Sequence, residues 1–150
     1  MIKSLMKNLR RNEDGAIVIE TAFVVPVLLL MSLGAIDYGT TLARQIELQN
    51  AMAEASQIAL AAAPTDAAAR QAVKEVLQTS TGLTTDDISI VETYRCGTSE
   101  DYVADSDECG DDPYARFIRI EVIENYKPVW TVISGAQPLR FHFVRMVQVG

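Results

Sequence analysis

Residues 15–30 read GAIVIETAFVVPVLLL, and one carboxylate, Glu20, stands in that otherwise apolar run. An acid at the centre of a membrane helix costs roughly 2.5–3.5 kcal/mol on insertion scales, so its presence points to a partner charge and a function. Few other residues offer chemistry. His142 is the sole histidine and lies between Phe141 and Phe143. With no nucleophile, base and orienter in sight, no enzyme is expected. Cys96 and Cys109 have neither the C-x-x-C spacing of a redox motif nor the clustered His/Cys spacing of zinc. Glu100, Asp101, Asp105, Asp107, Glu108, Asp111 and Asp112 crowd the loop around Cys109, and Asp105, Asp107 and Asp111 are the candidate calcium ligands there. An EF-hand begun at Asp105 would place Cys109 fifth and Arg116 twelfth, where a bidentate Glu belongs. A solvated acidic loop is the expectation, with no metal and no cofactor.

The elements that must position these groups follow from charge and period. Residues 16–36 hold no ionisable group but Glu20, and at 1.5 Å per residue a helix of that length spans about 31 Å, one bilayer crossing. Lys3, Lys7, Arg10 and Arg11 precede it and Asp37 follows. The positive-inside rule then places the N-terminus in the cytoplasm and the rest of the chain outside. The formal net charge of −7 divides into +2 over residues 1–15 and −9 beyond them. A remainder so acidic excludes nucleic acid as a partner. In an oxidising compartment the two cysteines are read as a disulfide. A cleaved secretory signal is the rival reading, because Ser32-Leu33-Gly34-Ala35 offers small residues. Its apolar core is usually about 7–15 residues long and free of acids, unlike this run.

Beyond the run, Tyr38, Leu42 and Ile46, then Leu48, Met52, Ala55 and Ala59, recur at threes and fours with Arg44, Glu47 and Glu54 between them. This predicts one helix over about residues 16–63, roughly 70 Å long, bent at Pro26, where the ring removes a backbone donor. Thr65 is the expected N-cap of a second helix ending at Gly82. From there the period is two: Ile88 and Ile90, then Ile118, Ile120 and Val122, then Leu139, Phe141, Phe143, Val147 and Val149 read as antiparallel strands. The segment 129–133, between Pro128 and Pro138, is either a short edge strand or a turn of helix. The fold class is α+β: a long N-terminal transmembrane and amphipathic helix, a second short helix, and a small antiparallel sheet of three to four strands. The domain organisation is 1–15 leader, 16–36 transmembrane helix and 37–150 exported domain.

The order of Arg10-Arg11, Gly15, Glu20, Ala22-Phe23, Pro26 and Leu28-Leu29-Leu30, followed by a glycine and an acid near the end of the run, resembles the TadE-like family of minor pseudopilins. These serve tight-adherence (Flp) type IV pili, and the likeness covers residues 10–45. Tyr126-Lys127-Pro128 and the closing strand with Arg145 echo it later. The resemblance implies a pilin-like fold and cleavage by a prepilin peptidase between Gly15 and Ala16. It also implies an assembly role for Glu20 as the fifth residue of the mature chain. The implied partners are that peptidase, other pilins and pseudopilins, the pilus assembly platform and membrane lipid. The implied location is the inner membrane, single-pass with a periplasmic domain, and possible entry into the pilus. The alternative is a membrane-tethered periplasmic module or adhesin in which the acidic loop holds calcium or another ligand.

Overall fold

The computed structural model describes residues 14–129, 131, 135 and 137–149, with side chains from residue 18 onward. The basic leader residues Lys3, Lys7, Arg10 and Arg11 lie outside the described residues. The chain divides after Thr40 into an N-terminal unit and a domain of residues 41–150. The long helix expected from the sequence is α1, Asp14–Ala62, with Pro26 inside it. In the N-terminal unit its apolar side chains are exposed, Phe23 at 74% and Leu29 at 58%. Within the domain the same helix turns Leu48, Met52, Ala55 and Ala59 fully inward. Leu42 and Ile46 belong to the expected stripe but stay exposed, at 39% and 55%.

Helix α2, Ala67–Thr81, starts one residue later than Thr65 would dictate. Asp66 is the N-cap, and its carboxylate accepts from the Ala69 amide at 2.7 Å. Thr65 spends its own amide on the Ala63 carbonyl in the turn that ends α1. An ionised acceptor at the positive end of the helix is the stronger cap. At the other end Gly82 takes φ 70°, where a side chain would be strained, and donates to the Gln78 carbonyl.

The sheet has four antiparallel strands in the order β2-β1-β3-β4: β1 Ile88–Cys96, β2 Tyr102–Val103, β3 Tyr114–Tyr126 and β4 Leu139–Gln148. The registers Ile88↔Val122 and Ile120↔Arg145 carry the period of two into a single inner face. Ile88, Ile118, Ile120, Val122 and Val147 pack from that face against Leu48, Met52, Ala55, Ala59, Val73 and Leu77 of the helices. β2 lies inside the stretch read as an unstructured loop. It forms because Tyr102 and Arg95 flank Phe117 on the outer face, with ring centroids 5.1 Å apart and the guanidinium 5.2 Å over the ring. Of the segment 129–133, Val129 and Thr131 are helical, and Trp130, Val132 and Ile133 lie outside the described residues.

Candidate functional site

Gly15 and Ala16 lie in α1, at the beginning of the described residues. Glu20 follows on the same helix and is exposed. Phe23, Val24 and Val27 share its face at i+3, i+4 and i+7, all of them exposed too. No described side chain pairs with the Glu20 carboxylate. Val18, Thr21, Ala22, Val25 and Pro26 line a shallow recess of about 470 Å³. At 100° per residue that recess is on the side of the helix away from Glu20. One face therefore carries a lone charge in apolar surroundings and the opposite face a smooth apolar hollow. The helix is long and apolar enough to cross a membrane.

Cys96, the last residue of β1, is bonded to Cys109, with Cα atoms 5.2 Å apart. The acidic residues supply the turn that presents Cys109. Asp105 and Glu108 form a reciprocal capping box over the 3-10 turn Ser106–Cys109: the Asp105 carboxylate accepts from the Asp107 amide, and Glu108 Oε1 accepts from the Asp105 amide. Asp105 is thus engaged by backbone donors, and Asp107 and Asp111 are exposed. Among the described residues no group of three or more His, Cys, Asp or Glu is placed to hold a metal ion. The disulfide spans 13 residues, for which the loop-closure estimate is about 3 kcal/mol. Replacing both cysteines by serine is expected to lower unfolding stability by about that amount. Thiol labelling of unfolded, unreduced wild-type protein should find no free thiol.

His142 does not stand alone on its strand. Its Nε2 is 2.7 Å from Glu121 Oε1, and Arg119 reaches the other oxygen of Glu121 at 2.9 Å. This cluster lies on the outer face of the sheet, with His142 exposed and Arg119 and Glu121 half-buried.

Sequence reasoning placed Arg44 on the polar face of the helix, and the structure turns it inward. Its guanidinium meets the Glu124 carboxylate through Nε and Nη2 at 2.9–3.1 Å. Nη2 also donates to the Thr81 carbonyl at the C-terminus of α2, and Nη1 pairs with Glu47. One side chain thereby ties α1, α2 and β3 together. The hydrogen bond to Glu124 holds the Arg44 pKa above the ordinary guanidinium value, outweighing desolvation, so the residue stays charged. A second inner-face acid, Glu92, is met by Arg70 of α2 and Arg116 of β3 at 3.3 and 2.9 Å. No local spacing signals these pairs, because their members lie up to 80 positions apart.

A family model described as TadE-like protein matches residues 15–57. No curated protein and no solved structure matches the chain. The matched stretch begins at Gly15 and takes in Glu20, Pro26 and Arg44, together with the inward-facing residues Leu48, Met52 and Ala55. Over residues 15–57, the stretch that carries Glu20 and the helical part of the domain core, this chain is similar to TadE-like proteins.

Proposed function

We propose that this chain is a minor pseudopilin of a tight-adherence (Flp) type IV pilus system, without catalytic chemistry of its own. The observation that carries the reading is the start of the family match at Gly15 on an apolar helix, with Glu20, the fifth residue after it, meeting no partner among the described side chains. A prepilin peptidase cuts after Gly15, and the new amine at Ala16 and the Glu20 carboxylate offset each other's desolvation within one helix or across to a neighbouring subunit. The helix anchors the protein in the inner membrane with its domain in the periplasm, and Pro26 supplies a bend for packing against other pilins. The disulfide suits that compartment. The partners are the peptidase, other pilins and pseudopilins, and the assembly platform.

Intact mass of the protein extracted from membranes tests the reading most directly. The expected mass is that of a chain beginning at Ala16. Replacing Gly15 by a bulky residue should leave the leader attached, since the peptidase needs a residue without a side chain there. A wild-type mass starting at Met1, or near Ala35, would overturn the proposal.

A further inference from the structure

Strand β2 covers only the end of β1. It pairs with Tyr94 and Arg95, and beyond Val103 the chain leaves the sheet for the capped turn at Ser106–Cys109, so no described strand lies beside the first half of β1. The Gly97 amide donates to the Pro113 carbonyl at 2.7 Å, which makes 97 and 113 a hydrogen-bonded pair in line with the β1–β3 register. Alternation then bonds residues 95, 93, 91 and 89 to β3 and points the N–H and C=O of Ile90 away from the sheet. No described group meets them. Helix α2 forms a wall along this edge: Arg70, Gln71 and Lys74 line a groove of about 300 Å³ with Ile88, Ser89 and Ile90. An open edge between a strand and a helix is the geometry in which an extended peptide adds to a sheet.

The charges in the groove select its occupant. Lys74 is half-buried, and no described carboxylate pairs with it. Neighbouring acids are turned elsewhere, Glu75 to the Gln71 side-chain amide at 3.4 Å and Asp87 to the Thr84 backbone amide at 3.1 Å. Arg70 shares Glu92 with Arg116, two guanidinium groups to one carboxylate. In a chain of net charge −7 a cation left in this way is an exception, and it suits a carboxylate brought from outside. We infer that this groove takes an extended segment of a partner protein, added antiparallel to β1 as a further strand and carrying an acidic side chain for Lys74. Cross-strand neighbours point to the same face, so the residue paired with Ile90 turns its side chain to the inner face, where α2 stands. That residue is the acid. Its two neighbours fall on the outer face beside Ser89 and Val91, the latter 42% exposed, where β-branched residues fit. A free C-terminal carboxylate is the poorer match, because Asp66 already engages the Ala69 amide in the first turn of α2. The inference does not rest on the pilus reading.

The test is a titration of the full chain in detergent micelles, labelled at the isoleucine amides and followed by NMR, with the peptide acetyl-Thr-Val-Glu-Val-Thr-amide as the probe. The Ile90 amide proton should move downfield and saturate as it gains a hydrogen bond, while Ile118 and Ile120 of β3 stay in place. A peptide with Lys for Glu should bind roughly tenfold more weakly, the scale of one charge-assisted contact. N-methylation of the central Glu removes the donor to the Ile90 carbonyl and should abolish binding. In the Lys74→Glu protein the order of the Glu and Lys peptides should reverse, with unchanged Ile118 and Ile120 resonances showing that the sheet is intact. Equal binding of both peptides to the wild-type chain, or an Ile90 amide unmoved at millimolar Glu peptide, would overturn the inference. An Ile90 shift that grows with the protein's own concentration, without peptide, would put a second copy in the groove and overturn it as well.

Discussion

The Glu20→Leu variant is expected to be made, inserted and cut after Gly15, and yet to lose pilus-dependent surface attachment. The two outcomes separate for an energetic reason. Removing the carboxylate makes insertion easier by up to about 3 kcal/mol, so a defect in membrane entry is not anticipated. What is lost is the charge that no described residue of the same chain engages. On the proposed pseudopilin reading, a neighbour's N-terminal amine would then be left unpaired in lipid, where an unmatched charge costs several kcal/mol. Glu20→Gln should fail in the same way, since it keeps shape and polarity but not charge. A surface-attachment assay beside a blot of the membrane fraction measures both. Normal attachment by Glu20→Leu would make the acid an interfacial one with no role in assembly.

The second large effect concerns Arg44. Arg44→Met is expected to destabilise the domain of residues 41–150 by about 3 kcal/mol, because it strands the Glu124 carboxylate against the inner face of the sheet and frees the Thr81 carbonyl. The figure sits at the lower end for broken buried pairs, as the Arg44 and Glu124 side chains keep 18% and 16% of their surface exposed. For a domain of this size it corresponds to a fall in Tm of roughly 10 °C. Near-UV circular dichroism of the full chain during heating reads tertiary packing without the helical signal of the membrane segment. Arg44→Lys should fall between the two, because an ammonium is a point charge and cannot span both carboxylate oxygens and the carbonyl. Adding Glu124→Leu to Arg44→Met should recover much of the loss, since neither partner then remains buried and alone. A double variant no more stable than Arg44→Met would show that the guanidinium acts through packing alone.

Those two residues also mark the boundary between what could be read from the chain and what could not. Glu20 was legible because its setting is local: one acid, a glycine five residues before it, a proline six after, and apolar neighbours throughout. The membrane-length helix, the second helix and the alternating strands were legible for a related reason. Periods of 3.6 and 2 record which side of an element meets water or lipid, and each is visible within a dozen residues. The cysteine pairing followed from an even count of two. Local rules also failed locally: Asp66, not Thr65, took the cap, its ionised carboxylate accepting from the Ala69 amide at the positive end of the helix.

The tertiary structure alone decided where the interior charges go. Glu92 and Glu124 occupy inner-face positions of β1 and β3, where the alternation read from the sequence expects apolar residues, and they are tolerated there because Arg70, Arg116 and Arg44 arrive from other elements. Around the helix, Leu42 and Ile46 stand about 80° or more from Leu48 and Met52, and the domain covers only the face of the latter pair. The acidic loop was expected to be solvated, and two of its carboxylates, those of Asp105 and Glu108, cap the turn that holds Cys109 against Cys96. A one-dimensional pattern specifies which face of an element is apolar. Which polar groups become partners, and which apolar faces find one, depends on contacts between residues far apart in the chain, set only when the sheet and helices close on each other.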